Sequence, residues 1–377
     1  MNKKKICFIV SSPLTVKALL LENIKALSTE FEVYLVANFK NEEQINISPD
    51  LTDIFHVQIE RKINLIKDLQ ALNKLRKVLK EQSFHAIHTV TPKAGLIGML
   101  AGKIAKTKVR THIFTGQVWY TKTGLMKALL MNLDRFLVSL STNILVDGQS
   151  QRKFLISKKV ITEHNSKVLG KGSISGVNIN KFRPNINSRE RYRAEQKYSQ
   201  DEVVFLFLGR INRDKGVIEL ARAFSKLQQE IPHVKLLLIG FDEEKLVPQI
   251  LSIVGDPNFK FYGSTNEPEL LLQIGDVLCL PSHREGFGTT VIEGSLLGLP
   301  IICSDTYGLM ETIIDDQTGF RHPVHDVESI YVQMKKLATD PQLRTKMGEA
   351  GRRYVLENFT AAQISGEWLQ YYRDLLK

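Results

Sequence analysis

Short, uniformly apolar runs alternate along the chain with longer stretches whose apolar residues recur at helical spacing. The first run, Ile6–Val10, predicts a strand, and Val16, Leu19, Leu20, Ile24 and Leu27 follow it with the period of a helix. The same alternation predicts strands over Glu32–Ala37, His85–Thr89, Val109–Phe114 and Ile144–Val146. Between them, helices are expected over Leu65–Lys80, Ala94–Ile104 and Met126–Ser139. Further on, Val203–Leu208, Val234–Ile239, Phe259–Tyr262, Val277–Leu280 and Pro300–Cys303 read as strands, Val217–Gln229 as a helix, and Ala361–Leu376 as a closing helix.

The strand runs are apolar throughout instead of alternating, which predicts sheets covered on both faces. Strands that alternate with helices predict parallel sheets built by right-handed crossovers. Near residues 172–200 the pattern breaks. Gly172-Ser173-Ile174-Ser175-Gly176 and Phe182-Arg183-Pro184 lead into a polar stretch that ends near Asp201. With 377 residues the chain is long enough for two domains. The expected fold class is therefore α/β, with two doubly wound, Rossmann-like domains (1–185 and 186–360) facing one another across a cleft. Ligands of such sheets bind beyond the carboxyl ends of the strands.

Composition narrows the classes. At 43% apolar and 24% charged residues, the chain is neither disordered nor fibrous, and no apolar run is long enough to cross a bilayer. The lysine-rich start before Ile6 precedes an apolar run too short for an export signal, so it reads as the first strand. Cys7, Cys279 and Cys303 are too few and too scattered for a disulfide frame or a zinc site, and they fit buried thiols in a reducing cytoplasm. The net charge of +11 is unevenly spread, with +16 in residues 1–185 and −5 in the remainder. A basic first half favours an anionic partner, either a phosphorylated substrate or an acidic membrane surface. No recognition motif or aromatic interleaving accompanies the basic residues, so nucleic acid is not expected.

Two segments carry candidate chemistry. Pro281-Ser282-His283-Arg284-Glu285-Gly286-Phe287-Gly288-Thr289-Thr290-Val291-Ile292-Glu293-Gly294 runs from an apolar strand through a glycine turn into a helix. Gly286 and Gly288 permit the turn, and Thr289 or Thr290 is placed to cap the helix. The free N–H groups of such a helix start form an anion site. The carboxylates of Glu285 and Glu293 suit sugar hydroxyls better than a metal. Upstream, Leu208-Gly209-Arg210-Ile211-Asn212-Arg213-Asp214-Lys215-Gly216 follows another strand, which puts the guanidinium of Arg210 and the ammonium of Lys215 where phosphates would lie.

Glu285 and Glu293 with Gly209, Arg210 and Lys215 upstream resemble the GT-B fold retaining glycosyltransferases of family 4. The likeness spans nearly the whole chain and is most specific from Phe207 to Gly319. It implies a nucleotide-sugar donor, with a UDP-sugar expected, held by the second domain. By this resemblance Arg210 and Lys215 bind the diphosphate, Glu285 orients the transferred sugar, and Glu293 holds the ribose. The amides of Phe287, Gly288, Thr289 and Thr290 would support sugar and phosphate, and the loop at Ser264 would meet the base. The resemblance also implies that no metal or other cofactor is needed and that the final helix, 361–377, crosses back onto the first domain.

His88-Thr89-Val90-Thr91-Pro92-Lys93-Ala94-Gly95 and Phe114-Thr115-Gly116-Gln117-Val118-Trp119 are similar to segments of members that build bacterial capsule or O-antigen repeat units. Arg61 and the stretch Lys67-Asp68-Leu69 fit that group too. In it the acceptor is a glycan on undecaprenyl diphosphate at the inner leaflet, which implies a cytoplasmic enzyme at the inner face of the membrane. His88, Lys93, Thr115, Gly116 and Ser12 are the expected acceptor-side residues. The stripe Leu125, Met126, Leu129, Leu130, Leu133, Phe136, Leu137 and Leu140 fits either a core-facing helix or one lying on a membrane. The chain departs from the family pattern twice. Thr115-Gly116 stands where many members have a His-Gly pair, and Ser11-Ser12-Pro13 where many have a glycine pair. Two other readings remain open on the sequence: a sugar-nucleotide epimerase on the same fold, and a non-catalytic sugar-nucleotide-binding protein. Product analysis without acceptor separates the epimerase from the transferase.

Overall fold

The structure, a computed structural model, describes residues 3–39, 47–60 and 64–377, so Arg61 lies outside the described residues. The chain divides into two compact units. The first unit holds strands β1 (Lys5–Ile9), β2 (Glu32–Ala37), β3 (Asp53–His56), β4 (Ala86–Val90), β5 (Val109–Phe114), β6 (Asn143–Val146) and β7 (Ser166–Lys167). They form one sheet in the order β3-β2-β1-β4-β5-β6-β7, parallel at every pairing. Its helices are α1 (Pro13–Leu19), α2 (Leu21–Ser28), α3 (Leu65–Gln82), α4 (Pro92–Ile104), α5 (Gly124–Leu140) and α6 (Gln149–Ser157).

The second unit opens with α7 (Ile186–Glu195). Strands β8 (Val203–Leu208), β9 (Val234–Ile239), β10 (Phe259–Gly263), β11 (Val277–Leu280), β12 (Ile301–Ser304) and β13 (Gly319–His322) then make a second parallel sheet, ordered β10-β9-β8-β11-β12-β13. Helices α8 (Val217–Glu230), α9 (Val247–Val254), α10 (Pro268–Leu271), α11 (Thr289–Leu296), α12 (Val327–Thr339) and α13 (Pro341–Asn358) accompany it, and α14 (Ala361–Leu375) returns to the first unit.

Both strand orders reverse direction once, between β1 and β4 in the first sheet and between β8 and β11 in the second. At such a switch point two adjacent crossovers leave on opposite sides, and the loops after the two strands open a crevice between them. The central strands β1, β4, β8, β9 and β11 are buried almost end to end, as uniformly apolar runs require. Helix starts are set by local chemistry. Asn64 caps α3 by accepting from Lys67 N at 3.1 Å, and Asp340 caps α13 ahead of Pro341.

Three sequence expectations are revised. First, the unit boundary lies at Gly176, not 185, because Val177 donates its N–H to Phe359 O at 2.8 Å and Phe182 enters the core of the second unit. Second, the single helix expected after β1 is broken at Leu20 into α1 and α2. Third, β3, β7 and β13 are additional strands. The closing helix α14 does lie on the first unit, with Trp368 and Tyr372 fully buried among Phe8, Phe31 and Leu35.

Candidate functional site

The loops that follow β8 and β11 are fastened to each other at the switch point of the second sheet. His283 N donates to Asp214 O at 2.8 Å, Arg284 pairs with Asp214 at 3.1 Å, and Lys215 Nζ donates to Glu285 Oε1. Gly216 makes the close approach possible. Its φ of 68° is left-handed, and a Cβ there would lie 2.0 Å from Pro281 O. On the other side, a Cβ on Gly308 would fall 2.4 Å from Glu285 O, so the short turn at Tyr307–Leu309 braces the loop that carries the carboxylate. Lys215 and Glu285 are both largely buried, with side-chain exposures of 17% and 13%.

Helix α11 begins at Thr289 with Gly288 as its N-cap, and no side chain caps it. Thr289 and Thr290 are therefore not the caps the sequence led us to expect. In the first turn Gly288 N donates to Gly308 O at 3.1 Å, Thr289 N to Phe287 O at 2.8 Å and Val291 N to Gly288 O at 2.8 Å, so what the turn offers an anion next to Glu285 is the positive end of the helix with the Thr290 amide. Phe287 is buried against Phe359, with ring centroids 5.4 Å apart, so its contribution to a ligand is through the backbone. Gly288 has no room for a side chain, since a Cβ would meet Leu309 Cδ2 at 2.3 Å.

Glu293 sits one turn further along α11. Burial pushes its carboxyl up to about 8, with Lys181 drawing it down and Glu269 pushing it up. Arg210 is exposed, and its Nη1 donates to both carboxylate oxygens of Glu243, at 2.9 and 2.8 Å. It is thus held apart from the Lys215–Glu285 pair. Gly209 packs against Gly240, and Ser264 is exposed just after β10.

In the first unit the switch point is marked by Ser11 Oγ and Thr91 Oγ1, 3.3 Å apart. Ser12 is committed to capping α1 by accepting from Leu14 N. Lys93, in the first turn of α4, pairs with Asp68 of α3 at 2.7 Å. Lys93, Thr115 and Gly116 line one cavity of about 580 Å³ enclosed by α3, α4 and α5. His88 does not join them. It is 0% exposed, stacked 4.7 Å from Trp368 and 5.2 Å from Phe8, and its Nδ1 lies 2.7 Å from the Tyr372 hydroxyl. Burial holds its pKa well below the ordinary imidazole range. A neutral imidazole locked under α14 is a packing residue, so the acceptor-side role expected for it is corrected.

The chain matches two family models: "Glycosyl transferase 4-like" over residues 5–147 and "Glycosyl transferases group 1" over residues 188–354. It is 30% identical over 332 residues to the capsular polysaccharide biosynthesis glycosyltransferase CapM of Staphylococcus aureus, covering 86% of each chain. The chain belongs to this glycosyltransferase family. The glycosyltransferase is also 23% identical to the UDP-Gal:alpha-D-GlcNAc-diphosphoundecaprenol alpha-1,3-galactosyltransferase of Escherichia coli, over 100% of this chain and 98% of that one. Among solved structures it resembles Anabaena HepE in complex with UDP and glucose, with a TM-score of 0.82 at 16% identity, covering 99% of both chains. That similarity shows the fold, the GT-B architecture.

Several features of the glycosyltransferase were not visible in its sequence. Gln117 and Gln151 each donate to the Thr115 carbonyl, at 2.7 and 2.6 Å, and so fix the Thr115-Gly116 loop. Glu219, His283 and His325 bring three donor atoms within 4.8 Å of one another, a group whose chemistry suits a divalent transition metal. Burial opposes ionisation of Glu219, but hydrogen bonds from the two imidazoles outweigh it and bring the carboxyl down to about 2. No spacing in the sequence announces this group, because its members come from α8 and from the loops after β11 and β13. Among the described residues no helix is long and apolar enough to cross a membrane.

Proposed function

We propose that the protein is a retaining glycosyltransferase of surface-polysaccharide synthesis, moving a sugar from a UDP-sugar to a lipid-linked diphosphate glycan at the cytoplasmic face of a membrane. The observation that carries this reading is the Lys215–Glu285 pair at the β8/β11 switch point, beside the uncapped start of α11. The ammonium and the positive end of α11 form a site suited to a diphosphate. A bound donor would draw Lys215 onto its phosphates and leave the Glu285 carboxylate for the hydroxyls of the sugar. Arg210 would exchange Glu243 for a phosphate oxygen, while Glu293 would receive the ribose diol.

In the transfer step the bond from the anomeric carbon to the leaving phosphate oxygen breaks. A bond to the acceptor oxygen forms on the same face, and the acceptor's proton passes to the departing phosphate. Charge grows on the nucleoside diphosphate, where Lys215 and α11 are placed to meet it. No side-chain base is needed, in keeping with Thr115 standing where relatives hold a histidine. The CapM relationship supports a role in capsule-type synthesis, and the diphosphoundecaprenol in the E. coli relative's name supports a lipid-linked acceptor.

The test is incubation with UDP-, GDP- and ADP-sugars without acceptor, following thermal shift and nucleoside diphosphate release. Stabilisation by one UDP-sugar, with slow UDP release that Glu293→Ala abolishes, is the expected result, and the anomeric form of the freed sugar reads retention. An epimerised nucleotide sugar would establish the isomerase instead. No response to any nucleotide would overturn the donor-site reading.

A further inference from the structure

The cavity between α3, α4 and α5 is built for something other than a sugar. Leu72 of α3, Leu96 and Leu100 of α4, and Leu130 and Leu133 of α5 wall it, with Trp119 closing one side. The polar groups that reach it are already engaged. His112 Nδ1 lies 2.8 Å from Thr89 Oγ1, Trp119 Nε1 donates to Asp134 at 2.7 Å, and Lys93 is paired with Asp68. Burial pushes His112 down to about 3, so its imidazole adds no charge. At about 580 Å³ the space is of the size that encloses small-molecule ligands.

Its polarity is graded. Lys93, Thr115 and Gly116 lie at the carboxyl end of the sheet, where β4 and β5 finish. Leu96 and Leu100 succeed Lys93 along α4, about 1.5 Å of rise per residue, so the leucines lead away from the strand ends. The two outer helices carry bare apolar side chains as well. Leu65, Ile66 and Leu69 of α3 and Leu125, Met126 and Leu129 of α5 are exposed, at 81% for Leu65 and 90% for Leu125. Exposed apolar residues in such numbers mark an interaction surface. Lys67, Lys74 and Lys77 on α3 and Lys122 and Lys127 at α5 stand among them, in a half of the chain that carries +16. Apolar side chains flanked by lysines complement an anionic lipid surface.

We infer that this cavity binds the hydrocarbon chain of the acceptor, its first isoprene units lying against the leucines while the diphosphate stays near Lys93 and Thr115. The inference rests on the reading of the acceptor as lipid-linked. It adds that the protein grips the lipid tail itself and does not merely reach a head group standing in water. A protein partner would use the exposed residues of α3 and α5 but has no need of a leucine-walled cavity between them. A cavity walled by leucines, with Lys93 and its partner Asp68 near the strand ends, fits a prenyl chain.

Trp119 reports on the site directly, since the other of the chain's two tryptophans, Trp368, lies on α14 and is buried against Phe8 of the first sheet. Titration with geranylgeranyl diphosphate should change Trp119 emission saturably, and inorganic diphosphate should not. Trp119→Phe should remove the signal. Leu72→Phe and Leu100→Phe fill the slot and should weaken binding by about tenfold or more, with thermal stability and UDP affinity unchanged. The inference is overturned if the response is absent, if both filled variants bind as well as the original, or if Trp119 is shielded by self-association without lipid. Failure of UDP-sugar turnover would strike the transferase reading instead. Intact turnover with no lipid response would strike this inference alone.

Discussion

The ammonium of Lys215 rests on the Glu285 carboxylate in the free protein, so the donor diphosphate of the proposed reaction must replace one anion with another. The exchange leaves little net gain in the ground state and a larger one as charge builds on the leaving group. Lys215→Ala is therefore expected to lower kcat about 10²–10³-fold while changing UDP affinity far less. Unchanged turnover in steady-state assays would remove Lys215 from the mechanism. Glu293 behaves differently. With its carboxyl pushed up to about 8, it carries a proton at neutral pH, whereas a ribose diol donates to the ionised form. UDP affinity should rise with pH up to about 8 and then level, by at most about tenfold per unit, with a proton released on binding. Calorimetry in buffers of different ionisation enthalpy measures that proton, and Glu293→Gln should abolish both effects. Asp147 offers a stability test. Burial pushes its carboxyl up to about 7, and its Oδ1 has no hydrogen-bond partner. A raised pKa means the folded chain holds the proton more tightly than the unfolded one. Stability is then lost as pH rises through the folded value, and Asp147→Asn should raise Tm more at pH 8 than at pH 5.

Elements differ in how openly the sequence declares them. Strands β2, β5, β8, β9 and β11 match their predicted limits: β8 and β11 are apolar from end to end, and β2, β5 and β9 are mainly apolar or β-branched runs that polar breaks close off. The edge strands were hidden: β3 is part-exposed along its length, β7 is two residues long, and β13 alternates glycine, apolar and basic positions. In the proposed donor site, Lys215 and Glu285 were each legible because each stands in the loop that directly follows an apolar strand, although their pairing across 70 residues was not. The engagement of Arg210 by Glu243 was not, since a charge's partner 33 residues away leaves no local mark. His88 misled because a histidine near a strand end reads as functional until the helix that covers it is known. The stripe on α5 was plain, but the cavity behind it depends on three helices at once. Two substitutions test the elements. Gly216→Ala would put a Cβ against Pro281 O, so it should lower both Tm and turnover by displacing the Lys215 loop. Trp368→Ala empties the space between α14 and the first sheet and should cost about 3–5 kcal/mol in the unfolding of the first unit by denaturant.

Across the whole molecule, charge is divided by position in the chain, with +16 in residues 1–185 and −5 beyond. Binding to anionic vesicles should therefore reside in the first unit. It should weaken as salt shortens the Debye length from about 10 Å at 0.1 M towards about 3 Å at 1 M, and vanish on neutral vesicles unless a prenyl lipid is present. Co-sedimentation at graded ionic strength measures this, and salt-independent binding would assign the contact to the apolar side chains alone. The return of α14 to the first unit bears on how the protein is made. Ribosomes deliver residues 1–176 first, yet the helix that covers Phe8 and His88 is translated only after all of the second unit. Until then the nascent first sheet has an uncovered apolar face, and the second unit can finish folding before the first. The earliest part of the polypeptide to be made is thus the last to be completed, and chaperone dependence during synthesis should concentrate there.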